Sequence, residues 1–179
     1  MLTTDNALLL VIDVQERLYR VIPDNAVLLR NIQNMIQGCN ILGVPAIITE
    51  QNPAGLGPTI PEINSFLPEA EKVEKLYFSC CAETSFLESL RKSGRRQIIV
   101  CGIESHICVY QTAMELHNAG YEVQIVADAI ASRSPDNRML ALKRLQSEGI
   151  RLTGVEMVLF EMLKTARSEQ FKAISKLIK

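Results

Sequence analysis

The chain has 179 residues and a formal net charge of −1, and 47% of its residues are hydrophobic. This length is sufficient for one ordinary domain with a full core, so a single domain over residues 1–179 is predicted. The near-neutral charge provides no electrostatic attraction for nucleic acid or for an anionic membrane, so neither is expected as a partner.

The cysteines and the amino-terminal segment predict where the protein works. Five cysteines at irregular spacing are not typical of a disulfide framework. The apolar run near the start of the chain is too short to cross a bilayer and ends at Asp13, so it predicts neither a signal peptide nor an anchor. We therefore expect a reducing, cytoplasmic location, where a thiol can be kept for chemistry.

The apolar pattern predicts six strands in chain order. The segment Ala7–Ile12 is a continuous apolar run, which is typical of a strand buried on both faces. The later strands are shorter or are bounded by glycine and proline. The predicted strands are Ala7–Ile12, Val44–Thr49, Lys72–Leu76, Gln97–Ile103, Tyr121–Ala127 and Arg151–Val155.

Helices are predicted between these strands. Leu28, Ile32, Met35 and Cys39 have the spacing of one buried helix face, and Gly43 ends that helix. The prolines and glycines of segment 51–61 instead favour a loop. The predicted helices are Asn25–Leu42, Ala82–Ser93, Glu104–Ala119 and Ser134–Gly149, the last with Ser134 as its cap, and two further helices complete the chain.

This alternation predicts one doubly wound α/β domain with parallel strands and helices on both faces. In such sheets, ligands bind beyond the carboxyl ends of the strands. Asp13, Lys75 and Cys108 all fall at strand ends in the predicted order. Taken singly, each has an ordinary structural interpretation: a turn former, a solvated lysine and a small packing residue.

The position of Cys108 favours a reactive thiol. It lies in the first turns of a helix that directly follows a strand, where unpaired N–H groups and the helix dipole stabilise a thiolate. A nearby lysine would lower its pKa further, and a carboxylate could accept its proton. Cys80 and Cys81 also begin a helix, so the residues alone leave them open as reactive thiols.

Several other sites are not predicted. There is no dinucleotide, P-loop, serine-elbow or C-x-x-C motif, so no cofactor is expected. The two histidines, His106 and His117, lie on one predicted helix, where about 16 Å would separate them. That distance is too large for both to bind one metal ion, and no metal site is expected. Neighbouring Cys80 and Cys81 could form only a strained disulfide.

Several motifs resemble the isochorismatase-like cysteine hydrolases, in the same order and nearly from end to end. They are LLLVIDVQ, VEKLYFSC and VCGIESHICVYQTAMELHNAGYEVQIVADAIASRS. The pieces ITEQNPAGLGPTIPEI, SRSPDN and FKAISKLIK are more similar to isochorismatase domain-containing proteins than to nicotinamidases. The resemblance implies a six-stranded parallel sheet in a Rossmann-like three-layer fold.

The resemblance also implies a mechanism. The catalytic triad would be Asp13, Lys75 and Cys108, and a cis peptide would join Ile103 to Glu104. The backbone N–H groups of Glu104 and Cys108 would then stabilise one oxyanion. An amide or imide carbonyl would be hydrolysed through a thioester.

This chain departs from the family pattern at several positions. Nicotinamidases bind zinc through an Asp and histidines after the second strand, whereas this chain has Thr49-Glu50-Gln51-Asn52 there, so no catalytic zinc is expected. Ser105-His106 replaces the usual Thr-Asp before the nucleophile, and Leu18 followed by Tyr19 replaces a usual aromatic residue. The predicted pocket residues are Gln15, Leu18, Tyr19, Glu50, Phe78 and His106.

Two functional classes follow. The leading prediction is a metal-independent cysteine hydrolase of a small amide-like molecule. The alternative is a binding or scaffold protein that retains the fold with little activity. The terminal segment places Phe171, Ile174, Leu177 and Ile178 on one helical face, which could cover the domain's own core or a second subunit. Because the family commonly assembles, a homodimer or larger homo-oligomer is expected.

Overall fold

The computed structural model describes all residues from 1 to 179. Its six strands form one sheet in the order β3-β2-β1-β4-β5-β6, and every neighbouring pair is parallel. The doubly wound α/β prediction is therefore confirmed. The strands are β1 (Ala7–Ile12), β2 (Ala46–Gln51), β3 (Glu71–Lys75), β4 (Gln97–Ile103), β5 (Glu122–Ala131) and β6 (Arg151–Thr153).

Helices connect the strands, and none of them is long and apolar enough to cross a membrane. A 3-10 turn at Cys80–Ala82 precedes α5, and a π-helical turn at Ser105–Val109 precedes α6. The helices are α1 (Glu16–Tyr19), α2 (Asn25–Leu42), α3 (Pro53–Leu56), α4 (Pro61–Asn64), α5 (Thr84–Ser93), α6 (Tyr110–Asn118), α7 (Pro135–Ser147), α8 (Val155–Leu163) and α9 (Phe171–Ile178).

The sheet separates two apolar layers. Leu9 and Val11 of β1 belong to the layer under α2, α8 and α9, whereas Leu8 and Leu10 belong to the layer under α5, α6 and α7. Side chains alternate between the two faces of a strand, so a strand covered on both sides must be apolar throughout. This explains the continuous apolar run at the start of the chain.

The boundaries of β2 differ from the prediction because of Pro45. The N–H of Val44 donates to the carbonyl of Cys39, so this residue still belongs to the end of α2. Proline has no N–H to donate, and the sheet pairing of β2 begins at Ala46. The predicted loop 51–61 contains one short helix, α3, and a second one, α4, begins at its last residue. Each has proline in its first turn, where the missing donor is tolerated.

Strand β5 extends four residues beyond its predicted end at Ala127, and its pairing with β4 shifts register near Gly102. Gly102 has a φ of +118°, and a Cβ there would lie 2.1 Å from the carbonyl oxygen of Ile12. Only glycine permits this close approach of β4 to β1. Ser134 precedes α7 as predicted, but its side chain makes no capping hydrogen bond.

The terminal helix α9 covers the domain's own core. Ile174 is buried in the layer under α2 and α8, and Phe171, Leu177 and Ile178 pack against that layer. Phe171 also meets Phe160 of α8 edge-on, with ring centroids 6.5 Å apart. Of the two roles considered for this apolar face, the structure therefore selects the intramolecular one.

Candidate active site

Three of the predicted residues come together at the carboxyl edge of the sheet. Asp13 directly follows β1, Lys75 is the last residue of β3, and Cys108 lies in the π-helical turn after β4. Strands β1 and β4 are adjacent, and the strand order runs in opposite directions on either side of them. The residues thus lie around the topological switch point, where doubly wound sheets bind their ligands.

Asp13 and Lys75 form a fully buried ion pair. Lys75 Nζ lies 2.7 Å from Asp13 Oδ2, and neither side chain is exposed to solvent. Lys75 Nζ also donates to Gln51 Oε1 at 2.7 Å and to the carbonyl of Phe78 at 3.2 Å. Burial alone would lower the pKa of Lys75, but the charge of Asp13, together with Cys80 and Cys108, raises it above its ordinary value. The lysine therefore carries a permanent positive charge beneath the nucleophile turn.

The backbone at Asp13 turns sharply out of β1. Its φ is +52°, a left-handed conformation that Asp tolerates better than most residues. Its N–H still donates to the Thr49 carbonyl at 3.1 Å, and its Oδ1 accepts the Thr49 hydroxyl at 2.7 Å. Both carboxylate oxygens are therefore hydrogen-bonded, one by β2 and one by β3.

Cys108 is only 5% exposed, and the pKa of its thiol is raised to about 12. Burial is the main cause, followed by the negative charge of Asp13, and the positive charge of Lys75 opposes both. The sequence-based expectation of a lowered pKa was wrong, because packing around the thiol outweighs the lysine. The raised pKa favours the thiol over the thiolate in the resting protein.

The peptide bond between Ile103 and Glu104 is cis, as the family resemblance implies. The N–H of Glu104 has no hydrogen-bond partner within the protein, and the N–H of Cys108 has none outside its own turn. The first N–H groups of a helix characteristically lack backbone acceptors. These two groups are therefore available to an oxygen placed beside the Cys108 sulfur.

Arg133 is a residue of this edge that the sequence did not identify. Its backbone N–H and its Nε donate to Glu104 Oε1 at 2.9 and 3.1 Å. The Glu104 side chain is buried, whereas the Arg133 side chain is 59% exposed. Because β5 was predicted to end too early, Arg133 was not recognised as a residue that follows the end of a strand.

The other predicted pocket residues occupy different environments. Leu18 and Tyr19 pack on the apolar layer under α2, whereas Cys108 belongs to the layer on the other face of the sheet. Gln15 is buried, and its amide is hydrogen-bonded to the backbone of Gln51 and Gly57. Glu50 accepts a hydrogen bond from the N–H of Thr59 at 2.8 Å. These four residues support the edge of the sheet through packing and backbone contacts.

His106 and Phe78 remain beside the nucleophile turn and the lysine. His106 Nδ1 lies 3.0 Å from Ser132 Oγ, which connects the nucleophile turn to the end of β5. Phe78 contributes its carbonyl to Lys75, while its aromatic side chain is 54% exposed. Their role in contacting a substrate stays a prediction.

The remaining thiols are free. None of the five cysteines forms a disulfide, including the neighbouring Cys80 and Cys81. Burial raises the pKa of Cys80 to about 12 and that of Cys81 to about 11. Cys80 is completely buried, with its sulfur 3.9 Å from Thr49 Oγ1. No three His, Cys, Asp or Glu side chains are grouped so that they could hold a metal ion.

Comparisons with known proteins agree with this architecture. A model of the isochorismatase domain matches residues 7–157. Isochorismatase domain-containing protein 2 of Danio rerio is 41% identical over 179 residues, which cover 99% of this chain and 89% of that protein. The MAR1 ribonuclease of Caenorhabditis elegans superposes with a TM-score of 0.93 at 32% identity, covering 99% of this chain and 91% of that one.

A third neighbour extends the fold comparison. The YcaC gene product of Escherichia coli, described as an octameric hydrolase of unknown specificity, has a TM-score of 0.93. It covers 99% of this chain and 88% of its own, but at 22% identity it shows the fold alone. The domain match and the relatives confirm the resemblance found in the motifs: the chain belongs to the isochorismatase-like hydrolase family.

Proposed function

We propose that this protein is a cysteine-dependent hydrolase that cleaves a C–N bond in a small amide or imide through a thioester. The observation that carries the proposal is the buried ion pair of Asp13 and Lys75, 2.7 Å apart, whose two charges both act on the thiol of Cys108. A nucleophile, a proton acceptor and a fixed positive charge are the components that acyl transfer to a thiol requires.

In the first half of the reaction, Asp13 accepts the proton of the Cys108 thiol as the sulfur attacks the carbonyl carbon. The tetrahedral intermediate then collapses, and its C–N bond breaks. Asp13 returns the proton to the departing nitrogen, which leaves as an amine or ammonia. The acyl group remains on Cys108 as a thioester.

In the second half, Asp13 takes a proton from water, and the resulting hydroxide attacks the thioester. Collapse of this intermediate breaks the C–S bond and releases a carboxylic acid. Cys108 then regains its proton from Asp13, which restores the starting state. Each proton therefore moves between Asp13 and a reacting atom, and no step of this sequence requires a cofactor or metal.

Lys75 makes the proton transfer between Cys108 and Asp13 feasible. In the resting state the negative charge is on Asp13, and after transfer it is on the sulfur. Because the ammonium group acts electrostatically on both Asp13 and Cys108, it stabilises the charge in either position. Because burial raises the pKa of the Cys108 thiol, we propose that the thiolate forms as the sulfur attacks the substrate.

The developing oxyanion would be stabilised by the N–H groups of Glu104 and Cys108. Neither group donates to an acceptor elsewhere in the protein. In related acyl-transfer enzymes, removal of one such donor costs about 2.7–4 kcal/mol of transition-state stabilisation. The backbone of the nucleophile turn therefore matters as much as the triad.

The burial of Cys108 favours a small substrate. Only 5% of the residue is exposed, so a bulky polymer cannot bring an internal bond to the sulfur without rearrangement of the turn. The name of the Caenorhabditis elegans neighbour assigns ribonuclease activity to that protein. For this chain, the net charge of −1 gives no attraction for RNA, so we propose a small molecule as its substrate.

The test is hydrolysis of a panel of amides, imides, ureido acids and RNA by the wild type and by Cys108→Ser. The control is Cys101→Ser, which changes a buried thiol inside β4. We expect at least one small amide to be hydrolysed, with more than about 100-fold loss of kcat in Cys108→Ser only. Unchanged turnover in Cys108→Ser would exclude the mechanism.

The departures from the family pattern at Ser105-His106 and Leu18 favour an alternative, a binding or scaffold protein with little activity. Inactivity on the whole panel by folded protein, together with a stoichiometric complex with another protein, would support this alternative.

We also propose that the protein assembles into a homodimer or larger homo-oligomer. Leu76, Tyr77 and Phe78 are 74%, 62% and 54% exposed, and so many adjacent apolar side chains are unusual for a monomer surface. The Escherichia coli neighbour is described as octameric. Light scattering after size exclusion is expected to give a multiple of 20.0 kDa, and a monomer mass would contradict this proposal.

A further inference from the structure

The carboxyl end of β2 lies against both members of the buried ion pair. Thr49 donates its hydroxyl to Asp13 Oδ1 at 2.7 Å, and Gln51 Oε1 accepts from Lys75 Nζ at 2.7 Å. Because side chains alternate along a strand, Thr49 and Gln51 lie on the same side of β2. Glu50, between them, is engaged instead with the backbone of Thr59.

The amide of Gln51 can be oriented in only one way. Its Nε2 donates to the carbonyl of Leu76 at 2.8 Å, so the oxygen must face Lys75. The backbone N–H of Gln51 donates to Gln15 Oε1 at 2.7 Å, and the Gln15 amide in turn donates to the Gln51 carbonyl. The end of the strand is therefore fixed on both sides, and the acceptor for the lysine is fixed with it.

We propose that Thr49 and Gln51 are positioning residues that hold Asp13 and Lys75 in the orientation required for proton transfer with Cys108. This inference rests on the proposed function, and it assigns to β2 a role that the triad alone does not include. Thr49 fixes one carboxylate oxygen, and Gln51 fixes the ammonium group on the other. The lone pairs of the Asp13 carboxylate that Thr49 and Lys75 leave free then define where the proton of the Cys108 thiol is received. We call this pair of residues, Thr49 and Gln51, the β2 clamp.

The Thr49 hydroxyl can keep its contact with Asp13 through the reaction. It donates to Asp13 Oδ1 while that group is ionised. A protonated carboxyl group still has lone pairs that accept, so the hydroxyl continues to donate when the thiol proton occupies a position that Thr49 and Lys75 leave free. The contact with Asp13 therefore persists in both charge states.

The charged and titratable groups around the β2 clamp come from every adjoining element. They are Asp13 after β1, Lys75 of β3, Cys80 of the 3-10 turn and Cys108 of the nucleophile turn. Lys75 keeps its charge and Cys80 keeps its proton near neutral pH, because the pKa of each is raised. A change in the rate of Cys108 alkylation at a fixed pH therefore reports on the charge of Asp13 and its contacts.

The first test compares Thr49→Val with Thr49→Ser and with a matched control, Thr153→Val. Thr153 is also buried, but its hydroxyl has no hydrogen-bond partner and lies in β6, away from the site. We expect Thr49→Val to slow the alkylation of Cys108 by iodoacetamide at pH 8 by about threefold or more, because the carboxylate loses a donor and its less compensated charge raises the thiol pKa further. Thr49→Ser should restore the wild-type rate, and Thr153→Val should leave it unchanged.

The second test uses hydrolysis of the substrate identified in the panel. Thr49→Val and Gln51→Met should each lower kcat by about tenfold or more with KM within about twofold, since neither residue touches the substrate. The control for the glutamine is Gln124→Met, because Gln124 is buried in β5 and makes no side-chain hydrogen bond. Its kcat should match the wild type.

The outcomes separate this inference from the proposed function. Unchanged alkylation rate and kcat in folded Thr49→Val and Gln51→Met overturn the β2 clamp, even if Cys108→Ser is inactive. Wild-type turnover by Cys108→Ser overturns the proposed function, and the alkylation experiment, which needs no substrate, still decides the β2 clamp. If Thr49→Val does not fold, an alkylation rate in Thr49→Ser that differs from the wild type as strongly as that of Asp13→Asn overturns the β2 clamp, and a wild-type rate supports it.

Discussion

Two ion pairs lie at the carboxyl edge of the sheet, and they differ in their exposure to solvent. Asp13 and Lys75 are both completely buried and connect β1 to β3. Glu104 is also buried, but its partner Arg133 is 59% exposed and connects the ends of β4 and β5. Water can replace the partner of an exposed charge but not of a buried one, so the two pairs should respond differently to the same kind of substitution.

The largest expected effect is that of Lys75→Met. The substitution leaves the Asp13 carboxylate buried without its cation, and breaking a buried pair in this way costs about 3–5 kcal/mol in the free energy of unfolding. Urea unfolding monitored by circular dichroism measures this loss. Lys72→Met is the matched control, because Lys72 lies in the same strand but is exposed, and its change should stay within about 0.5 kcal/mol.

The double variant Asp13→Asn with Lys75→Met sharpens this prediction. If the cost comes from an unpaired charge, removal of both charges should be less destabilising than Lys75→Met alone. A loss below about 1 kcal/mol in Lys75→Met would place the pair in the same class as surface salt bridges and would contradict its proposed isolation from water.

The second prediction concerns the reactivity of Cys108. The charge of Asp13 contributes to raising the pKa of this thiol, and the charge of Lys75 lowers it. Asp13→Asn should therefore lower the thiol pKa. Alkylation of Cys108 at pH 8 should become faster in proportion to the thiolate population, about tenfold for each unit by which the thiol pKa falls. Hydrolysis should be lost in the same variant, because the proton acceptor is gone.

Peptide mass spectrometry of the alkylated protein measures this rate at each cysteine. Asp136→Asn, which changes an exposed carboxylate of α7, is the control and should alkylate at the wild-type rate. Slower alkylation of Cys108 in folded Asp13→Asn would mean that the carboxylate activates the resting thiol. The proposed order of events would then be wrong.

The sequence allowed the apolar parts of the fold to be predicted well. The bounds of β1, β4 and α2 agree with the structure, because continuous apolar runs and the glycine at Gly43 mark them locally. Helix α9 could be predicted as a helix, but which surface its apolar face covers depended on residues of α2 far away in the chain. Periodicity identifies an apolar face and cannot identify what that face contacts.

The polar edge could be predicted only in part. Asp13, Lys75 and Cys108 were found because strand ends and the family motifs both point to them. Thr49 and Gln51 were missed, since a buried threonine and a glutamine at a strand end are ordinary residues until their distances to an ion pair are known. The raised pKa of Cys108 was missed for a similar reason, because burial arises from packing between distant segments.

Arg133 was missed because the end of β5 was misplaced. Asp128 interrupts the apolar pattern, and the strand was predicted to stop before it. In the structure the strand continues, and the Asp128 carboxylate accepts the N–H of Val155 at the start of α8. A contact with a later helix, which no local pattern reveals, allows a charged residue within the strand.

The third prediction extends the comparison to the pH dependence of stability. Burial raises the thiol pKa values of Cys39, Cys80 and Cys108 from 9.0 to about 12. Between these values the unfolded chain releases thiol protons that the folded protein retains. The free energy of unfolding should therefore be unaffected by these groups below pH 9 and should fall by up to about 1.4 kcal/mol per pH unit for each thiol above it.

Urea unfolding at pH 8, 9, 10 and 11, with a reductant present to prevent disulfides, measures this slope. Cys39→Ala removes one such thiol, which lies away from the candidate site. It should reduce the slope of the free energy of unfolding against pH by the contribution of one thiol. Stability that stays constant from pH 9 to pH 11 would show that the thiols ionise as easily in the folded protein as in the unfolded chain.

The smallest expected effect is that of Arg133→Gln. It removes the exposed cation of the second ion pair, whereas Lys75→Met removes a buried cation. The Arg133 side chain is mostly exposed, so water can hydrate the Glu104 carboxylate once the guanidinium is removed, and the backbone N–H of residue 133 still donates to it. The free energy of unfolding should therefore change by less than about 1 kcal/mol. Glu104→Gln is the variant to compare with it, because Glu104 is the buried member of the same pair and lies beside the nucleophile turn. A loss in Arg133→Gln as large as in Lys75→Met would mean that exposure does not govern the strength of these two pairs, and that the Glu104 carboxylate depends on Arg133 as strongly as Asp13 depends on its lysine.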